Sequence, residues 1–329
     1  MNTCICILSH NPNEKIYKFM NNFSYKVFIL IDNNKINLGN YITKYKNLTF
    51  IQINENDCLK KNYFGCLNEY SNKFNKVLSW DKGLYYFSFI KTCYDYVWLI
   101  EDDVLFTSEY LITYLNNSKE DILCSSTAKY SKDNIWIGCP DGIVRDLWNL
   151  NSVNNQFDKS ELYKSLVQIL RLSKKSFEVI KEHVNINKQL CFIECIFASL
   201  IYKYNLSHKN IYDNVILKNT LKYDEIHYYK FNHAVKDKSI FNILNNLPNY
   251  KNFDSFYYYL NNTDLQTYYN HDKLLNHFNN YGIIENRITN INFDYFNYKL
   301  NNYDIKDLSN DDLWRHWCIY GKYENRKIS

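Results

Sequence analysis

Long apolar runs and long runs of one charge are missing from this 329-residue sequence. No stretch approaches the roughly 18 apolar residues that cross a bilayer, and the N-terminus lacks the basic segment of a signal peptide. No five like charges follow one another and the net charge is only +4, which argues against a broad nucleic-acid-binding face. We therefore expect a cytoplasmic protein without a membrane span or a nucleic-acid partner.

The ten cysteines form no CxxC pair, which argues against a zinc knuckle or a thioredoxin-like site. Several lie within apolar patterns, where a free thiol behaves as a small hydrophobe, and this predicts a reducing compartment. Glycine and proline are scarce, at 7 and 3 residues, whereas tyrosine reaches 32. The tyrosines accompany many Asn, Lys and Ile residues, so we interpret them as a compositional bias rather than a functional signal.

Three adjacent acids are the most informative feature of the sequence. The apolar residues 97–100 lead directly into Glu101, Asp102 and Asp103, and the chain becomes apolar again at 104–106. The first run predicts a strand that is covered on both faces. Neighbouring carboxylates repel one another unless a cation or hydrogen-bond donors satisfy them, and oxygen-rich sites suit Mg²⁺ or Mn²⁺. The alternative is that the acids lie in an ordinary surface turn. The apolar residues 104–106 argue against it, because an exposed turn is not expected to lead directly into another buried segment.

Apolar strands alternate with helical stretches, which predicts an α/β fold with a mostly parallel sheet flanked by helices. The predicted strands are 3–8, 25–31, 48–53, 97–100, 122–126 and one beginning at 136–139. The predicted helices are 13–21, 71–91, 109–115, 162–184 and 189–204. Ligands of open α/β sheets bind outside the carboxyl ends of the strands. Ser9, His10 and Asp32 follow such strands, as the three acids do, although an ordinary turn would also explain Asp32.

Two further candidates stand later in the chain. The apolar helix predicted at 189–204 contains Glu194, whose burial is costly unless it is paired or faces a cavity. A functional carboxylate and a structural partner of some Lys or Arg are both open interpretations. His227 and His233 lie in the segment that closes the first region, where a structural histidine is the alternative to a ligand.

The last quarter of the chain is an internal repeat. We place a domain boundary in the Asn-rich stretch around Pro248, which gives a first domain of 1–240 and a second of 241–329. Phe-Asp, Leu-Asn-Asn, Tyr-Gly and Glu-Asn recur between 253–287 and 293–326 at an offset of 40 that falls to 39. Short helical repeats bury their cores by stacking. We expect structural contacts from the residues that the repeats share, which are His277 and Arg287 in the first repeat and His316 and Arg326 in the second.

Residues 1–238 resemble a glycosyltransferase of the GT-A type that uses a sugar nucleotide. The acids in WLIEDDVLFTSEYLITYL look like its DxD-type motif, in a Glu-Asp-Asp variant similar to the N-acetylglucosaminyltransferase I type. The stretch LSWDKGLYYF resembles the helix that places polar side chains near the nucleotide, and NHAVKD resembles a late loop whose histidine reaches the metal. The repeats are similar to short modules appended to glycosyltransferases of large DNA viruses and bacteria. A virus-encoded chain would lie in the host cytoplasm or the virion.

The resemblance implies a GT-A-like fold and metal-dependent transfer of a hexosyl or N-acetylhexosaminyl group from a UDP-sugar to a hydroxyl of a glycan or glycoprotein. It implies Mn²⁺ or Mg²⁺ as cofactor, with Asp103, Asp102 and His233 as ligands. The residues it implies for binding the nucleotide sugar are Ser9, His10, Asp32, Asp81, Lys82, Glu101 and Asp102. For an inverting transfer, Glu194 is the expected catalytic base and Asp141 the second candidate.

Two other classes of function remain open at the level of sequence. The first domain could be a degenerate transferase, and the tyrosine-rich repeats would then bind carbohydrate or protein. The acids could instead serve a metal-dependent phosphotransferase or nuclease. The lack of a P-loop and the balanced charge argue against that second alternative.

Overall fold

The computed structural model describes most of the chain. The described residues are 2–67, 77–130, 148, 150–227, 230–246, 255–268, 271–282, 285, 287, 295–308, 312–313, 316–321, 324 and 326. Asp141, the strand expected at 136–139 and the boundary at Pro248 lie outside the described residues. The chain divides into two compact units. The first comprises Met1–Leu105, Ser118–Tyr223 and Phe231–Asn245, and the second Phe106–Asn117, Asp224–Lys230 and Asn246–Ser329.

Among the described residues of the first unit, seven strands form one sheet. They are β1 (Thr3–Ser9), β2 (Lys26–Ile31), β3 (Leu48–Ile51), β4 (Tyr96–Glu101), β5 (Ile122–Lys129), β6 (Tyr163–Ser173) and β7 (His208–Asn210). Their order is β3-β2-β1-β4-β6-β5-β7, and only β6 runs antiparallel to its neighbours. Two short parallel strands, β8 (Val215–Leu217) and β9 (Phe231–His233), form a second sheet. The predicted α/β class with a mostly parallel sheet is confirmed.

The α-helices in the described part of the chain are α1 (Glu14–Met20), α2 (Gly39–Lys44), α3 (Glu55–Lys60), α4 (Ser79–Tyr85), α5 (Glu109–Leu115), α6 (Asn151–Asn154), α7 (Lys174–Asn187), α8 (Ile193–Lys203), α9 (Ile243–Asn246), α10 (Ser255–Asn261), α11 (His271–His277) and α12 (Tyr295–Asn301). Several begin at a residue whose side chain accepts a backbone N–H, as Asn13 does for α1 and Ser173 for α7. Within these described segments, none has the length and apolar character that crossing a bilayer requires.

The helix predicted at 162–184 is wrong in its first half. Residues Tyr163–Ser173 form β6, and helix begins only at Lys174. β6 lies between β4 and β5, and its residues from Ile169 onward are all buried. A strand covered on both faces shows no alternation of polar and apolar residues, so periodicity does not distinguish it from a buried helix.

The carboxyl ends of β1, β2 and β4 meet at one edge of the sheet. The register pairs Ser9 with Ile31, and Leu8 with Glu101. Asp32 follows β2 directly, and its backbone N–H donates to Ser9 O over 2.8 Å. The polar residues that end these strands are therefore neighbours, as expected from the rule that ligands bind outside the carboxyl ends of the strands.

The second unit contains the two repeats, whose described parts make matching contacts. The Tyr258 hydroxyl lies 3.1 Å from His277 Nδ1, and the Tyr298 hydroxyl lies 3.0 Å from His316 Nδ1. Arg287 donates to Asp264 and Arg326 to Asp304, over 2.8 and 2.6 Å. A Cβ at Gly282 would lie 2.1 Å from the Tyr258 hydroxyl, so a side chain there would collide with that residue. This unit also takes in Phe106–Asn117 and Asp224–Lys230, which the boundary expected near residue 240 had assigned to the first domain.

Candidate metal and nucleotide site

A short backbone ladder brings β9 against the chain that leaves β4. Leu105 N donates to Asn232 O over 2.9 Å, and Asn232 N donates back to Leu105 O over 2.8 Å. Val235 N donates to Asp103 O over 2.8 Å. Because Asn232 is fully buried in this ladder, the next residue, His233, is held beside the acids that end β4.

Glu101, Asp103 and His233 converge on one point. His233 Nε2 lies 3.4 Å from Asp103 Oδ1 and 3.6 Å from Glu101 Oε2. One ligand atom from each of the three residues lies within 4.8 Å of the others. Asp103 Oδ1 is buried and accepts no hydrogen bond from the part of the chain that the structure describes.

This cluster fits a divalent cation. A buried carboxylate oxygen without a partner costs free energy that a bound cation would recover. The set offers two carboxylates and an imidazole, and its side chains are only 13 to 32% exposed. An imidazole is a softer ligand than the oxygens that Mg²⁺ prefers, so the cluster suits Mn²⁺ better than Mg²⁺.

The protonation states of the cluster agree with this interpretation. Burial lowers the pKa of His233 despite the opposing charge of Asp103, which keeps the imidazole neutral near pH 7. Burial, followed by the charge of Asp103, raises the pKa of Glu101 to about 7. Metal ligands must be deprotonated, so a cation bound here would displace the proton that Glu101 otherwise holds near neutral pH.

Asp102 lies apart from the cluster. Its backbone N–H still donates to Leu8 O over 3.1 Å, so the alternation of β4 continues to this residue and directs its side chain away from that of Glu101. Ser9 Oγ donates to Asp102 Oδ2 over 2.8 Å, and Lys238 Nζ lies 3.5 Å from the same oxygen. The structure thus brings Glu101 to Asp103 and His233, where the sequence had placed Asp102.

Lysines lie beside the acids. Lys236 forms an ion pair with Asp103, and Lys15 Nζ donates to the carbonyl of Lys238 over 2.9 Å. A cleft of about 620 Å³ lies beside these groups. Its lining includes His10, Asn11, Lys15, Asp102, Asp103, Lys236 and Lys238. Ammonium groups beside a cation site are the arrangement that a phosphate-bearing ligand requires.

Asp32 and Lys82, both predicted to bind the nucleotide, contact each other. Lys82 is fully buried, and its Nζ donates to Asp32 Oδ1 over 2.6 Å and to Asp32 O over 2.8 Å. His10 Nδ1 lies 3.7 Å from Asp32 Oδ2, and its side chain is 64% exposed. Of these three residues, His10 lines the cleft.

Asp81, the remaining candidate on α4, is enclosed by protein. Its Oδ1 accepts from Cys66 N over 3.1 Å and its Oδ2 from Leu78 N over 2.8 Å. Burial raises the pKa of this carboxyl to about 7. The side chain therefore ties the segment at Cys66 to the first turn of α4.

Glu194 lies in the first turn of α8 and is 8% exposed. Its Oε2 is buried and has no hydrogen-bond partner within the described residues. Burial, and then the charge of Glu101, raise the pKa of Glu194 well above its ordinary value, and Lys164 opposes this shift. The carboxyl thus lies within electrostatic reach of Glu101, and both its burial and that charge disfavour its ionised form.

Two features of the site were missed from the sequence. Lys236 and Lys238 stand in the NHAVKD region, but exposed lysines are so common that no pattern singles them out. Trp80 donates its indole N–H to Glu101 over 2.8 Å. The sequence places Trp80 in the predicted helix beside Asp81 and Lys82. No local pattern indicates its hydrogen bond to Glu101, because the two residues are 21 positions apart in the chain.

No protein-family model matches this sequence, and no curated protein matches it either. Solved glycosyltransferase structures are similar in fold at low identity. The galactosyltransferase LgtC, in complex with donor and acceptor sugar analogues, is 14% identical with a TM-score of 0.37, covering 63% of this chain and 73% of that one. Mouse xyloside xylosyltransferase 1, in its apo form, is 7% identical with a TM-score of 0.36, covering 66% and 88%. At these identities and TM-scores the similarity concerns the fold alone and says nothing about function.

Proposed function

We propose that this protein is a metal-dependent glycosyltransferase that moves a sugar from a UDP-sugar to a hydroxyl of a glycan or glycoprotein, with Mn²⁺ as its cofactor. The observation that carries the proposal is the convergence of Glu101, Asp103 and His233 at the carboxyl edge of the sheet. This edge is where ligands of α/β sheets bind. The adjoining cleft, which both lysines and acids line, suits a nucleoside diphosphate with its cation.

The leaving nucleoside diphosphate gains negative charge as the glycosidic bond breaks. Glu101, Asp103 and His233 would hold a cation that would supply Lewis-acid stabilisation of that charge. Lys236 and Lys238 add fixed positive charge beside the phosphate oxygens. The buried Lys82–Asp32 pair keeps the end of β2 rigid at the rim of the site.

Glu194 is the proposed base of an inverting transfer. A base must take the proton of the acceptor hydroxyl, and catalytic carboxyls for this task commonly have pKa values raised toward neutral pH by burial. Burial and the charge of Glu101 raise the pKa of Glu194 above its ordinary value, so its ionised form is a stronger base than an exposed carboxylate. No group among the described residues donates to its Oε2, so this oxygen could accept the proton of such a hydroxyl.

A thermal-shift screen tests the proposal. We expect a UDP-sugar and Mn²⁺ together to raise the melting temperature more than the sum of their separate effects, because each binds the folded chain and the pair shares one site. A ligand at 100 times its Kd adds about 2.7 kcal/mol to the free energy of unfolding. GDP-sugars serve as the control for nucleotide choice. Equal stabilisation with and without EDTA, or none by any nucleotide sugar, would contradict the proposal.

Lys236→Met should change the affinities for metal and nucleotide in opposite directions. The Lys236 ammonium pairs with Asp103 when no metal is bound, so its removal frees that carboxylate. We expect Mn²⁺ alone to bind about fivefold tighter, which corresponds to about 1 kcal/mol for an exposed ion pair. UDP should bind more weakly in the presence of Mn²⁺, because one ammonium beside the phosphates is lost.

Calorimetric titration of Mn²⁺ and then UDP measures both affinities. Lys26→Met is the matched control, since Lys26 is an exposed lysine at the opposite end of β2. A change of the two affinities in the same direction would exclude this double role of Lys236.

A further inference from the structure

Three consecutive residues hold helix α4 in place. The Asp81 carboxylate accepts the N–H groups of Cys66 and Leu78. Lys82 donates to Asp32 at the end of β2. A Cβ at Gly83 would lie 3.1 Å from Leu8 Cδ2, so glycine lets the helix approach β1 closely. These contacts leave α4 little freedom to slide or rotate on the sheet.

The residue before these three, Trp80, contacts the proposed cation site. Its indole is 5% exposed, and Nε1 donates to Glu101 Oε1 over 2.8 Å. The ring lies 6.1 Å from that of Phe197, one turn along α8 from Glu194. An indole N–H is only a donor, so it holds a carboxylate oxygen and cannot accept a proton from it.

The two oxygens of Glu101 therefore have separate partners. Oε1 is held by Trp80, and Oε2 is left 3.6 Å from His233 Nε2, facing Asp103. The terminal torsion of a glutamate side chain is broad and close to two-fold, so an unrestrained carboxylate would turn. The hydrogen bond from Trp80 selects one orientation.

We propose that Trp80 is a positioning residue, whose indole N–H fixes one oxygen of Glu101 so that the other faces the cation bound with Asp103 and His233. This inference rests on the proposed function, since it requires the cation site. Hydrogen-bond partners of metal ligands commonly contribute 10- to 100-fold to metal affinity. The rigid attachment of α4 makes Trp80 suited to this role, because the donor stays in place whether or not the cation is bound.

Mn²⁺ titration followed by electron paramagnetic resonance tests the role directly. Trp80→Phe keeps an aromatic ring against Phe197 but removes the donor, and we expect Mn²⁺ to bind about tenfold more weakly. Trp98→Phe is the matched control, because Trp98 is a fully buried indole on β4 that lies 6.0 Å from Phe231. It should bind Mn²⁺ as tightly as the wild type.

A second measurement does not depend on the folding of a variant. In ¹H–¹⁵N spectra of the wild-type chain, the indole N–H signal of Trp80 should shift on titration with diamagnetic Mg²⁺, because its acceptor becomes a metal ligand. Unchanged Mn²⁺ affinity in Trp80→Phe, or equal weakening in both variants, would overturn the role of Trp80. So would an indole signal that does not shift at Mg²⁺ concentrations that displace bound Mn²⁺. Failure of the wild type to bind Mn²⁺ would overturn the cation site itself, and with it this inference.

Discussion

Asp103→Asn is expected to abolish metal-dependent turnover of the sugar nucleotide. Asp103 supplies the buried oxygen that accepts no hydrogen bond from any described residue, and it lies between His233 and Lys236. An amide keeps the shape of the side chain but loses the charge that holds a cation. Loss of one group that stabilises a developing negative charge costs about 10²- to 10³-fold in rate, so transfer should fall at least that far. Initial rates of UDP release at saturating Mn²⁺ measure this loss.

Asp102→Asn is the matched control for that variant. Asp102 is the neighbouring acid, but it contacts Ser9 and Lys238 rather than the cation cluster. Its substitution should leave the affinity for Mn²⁺ alone nearly unchanged. If Asp102→Asn weakens Mn²⁺ binding as much as Asp103→Asn does, the ligands are the adjacent pair expected from the sequence rather than Glu101 and Asp103.

Glu194→Gln is expected to stop transfer while leaving the binding of Mn²⁺ and UDP intact. Glutamine matches glutamate in size but cannot take a proton from the acceptor hydroxyl. A general base contributes about 10²- to 10⁴-fold, so the turnover number should fall by that factor with little change in the affinity for the donor. Single-turnover rates combined with calorimetric titration separate the two effects. Wild-type rates in this variant would exclude Glu194 as the base.

The same substitution should stabilise the fold, and increasingly so at higher pH. The pKa of Glu194 is raised in the folded chain above its ordinary value of 4.5, so the wild type loses stability as pH rises from 4.5 toward the folded pKa. Glu194→Gln does not titrate, and its advantage over the wild type should grow across that window, by at most about 1.4 kcal/mol per pH unit for one proton.

Urea unfolding of both chains at several pH values measures this difference. Glu178→Gln, at an exposed position of α7, should show no such growth. A constant difference between Glu194→Gln and the wild type from pH 5 to 8 would contradict the raised pKa of the buried carboxyl.

The carboxyl edge of the sheet is largely predictable from the sequence. Continuous apolar runs identified β1, β2 and β4, and the rule that ligands bind at the carboxyl ends of parallel strands placed Ser9, Asp32 and the three acids together. The parallel pairing of β1 with β4, which sets Leu8 opposite Glu101, agrees with this expectation. These features were predictable because they follow from local patterns and from the direction of the strands.

Other features depend on contacts that no local pattern encodes. The side chains of β4 alternate between the two faces of the sheet, and the residue at which this alternation ends decides which acids lie together. The alternation places Asp102 beside Ser9 and leaves Glu101 with Asp103 and His233. The bond from Trp80 to Glu101 and the ion pair from Lys236 to Asp103 each join distant segments. The sequence pattern predicts a helix where β6 lies, because a strand buried on both faces lacks alternation of polar and apolar residues.

The most direct test of the cation site is a Mn²⁺ titration by electron paramagnetic resonance, with and without UDP. The site formed by Glu101, Asp103 and His233 predicts one Mn²⁺ per chain, bound more tightly when UDP is present and lost in Asp103→Asn. UDP that binds equally well in EDTA, or Mn²⁺ that binds equally well to Asp103→Asn, would contradict the account.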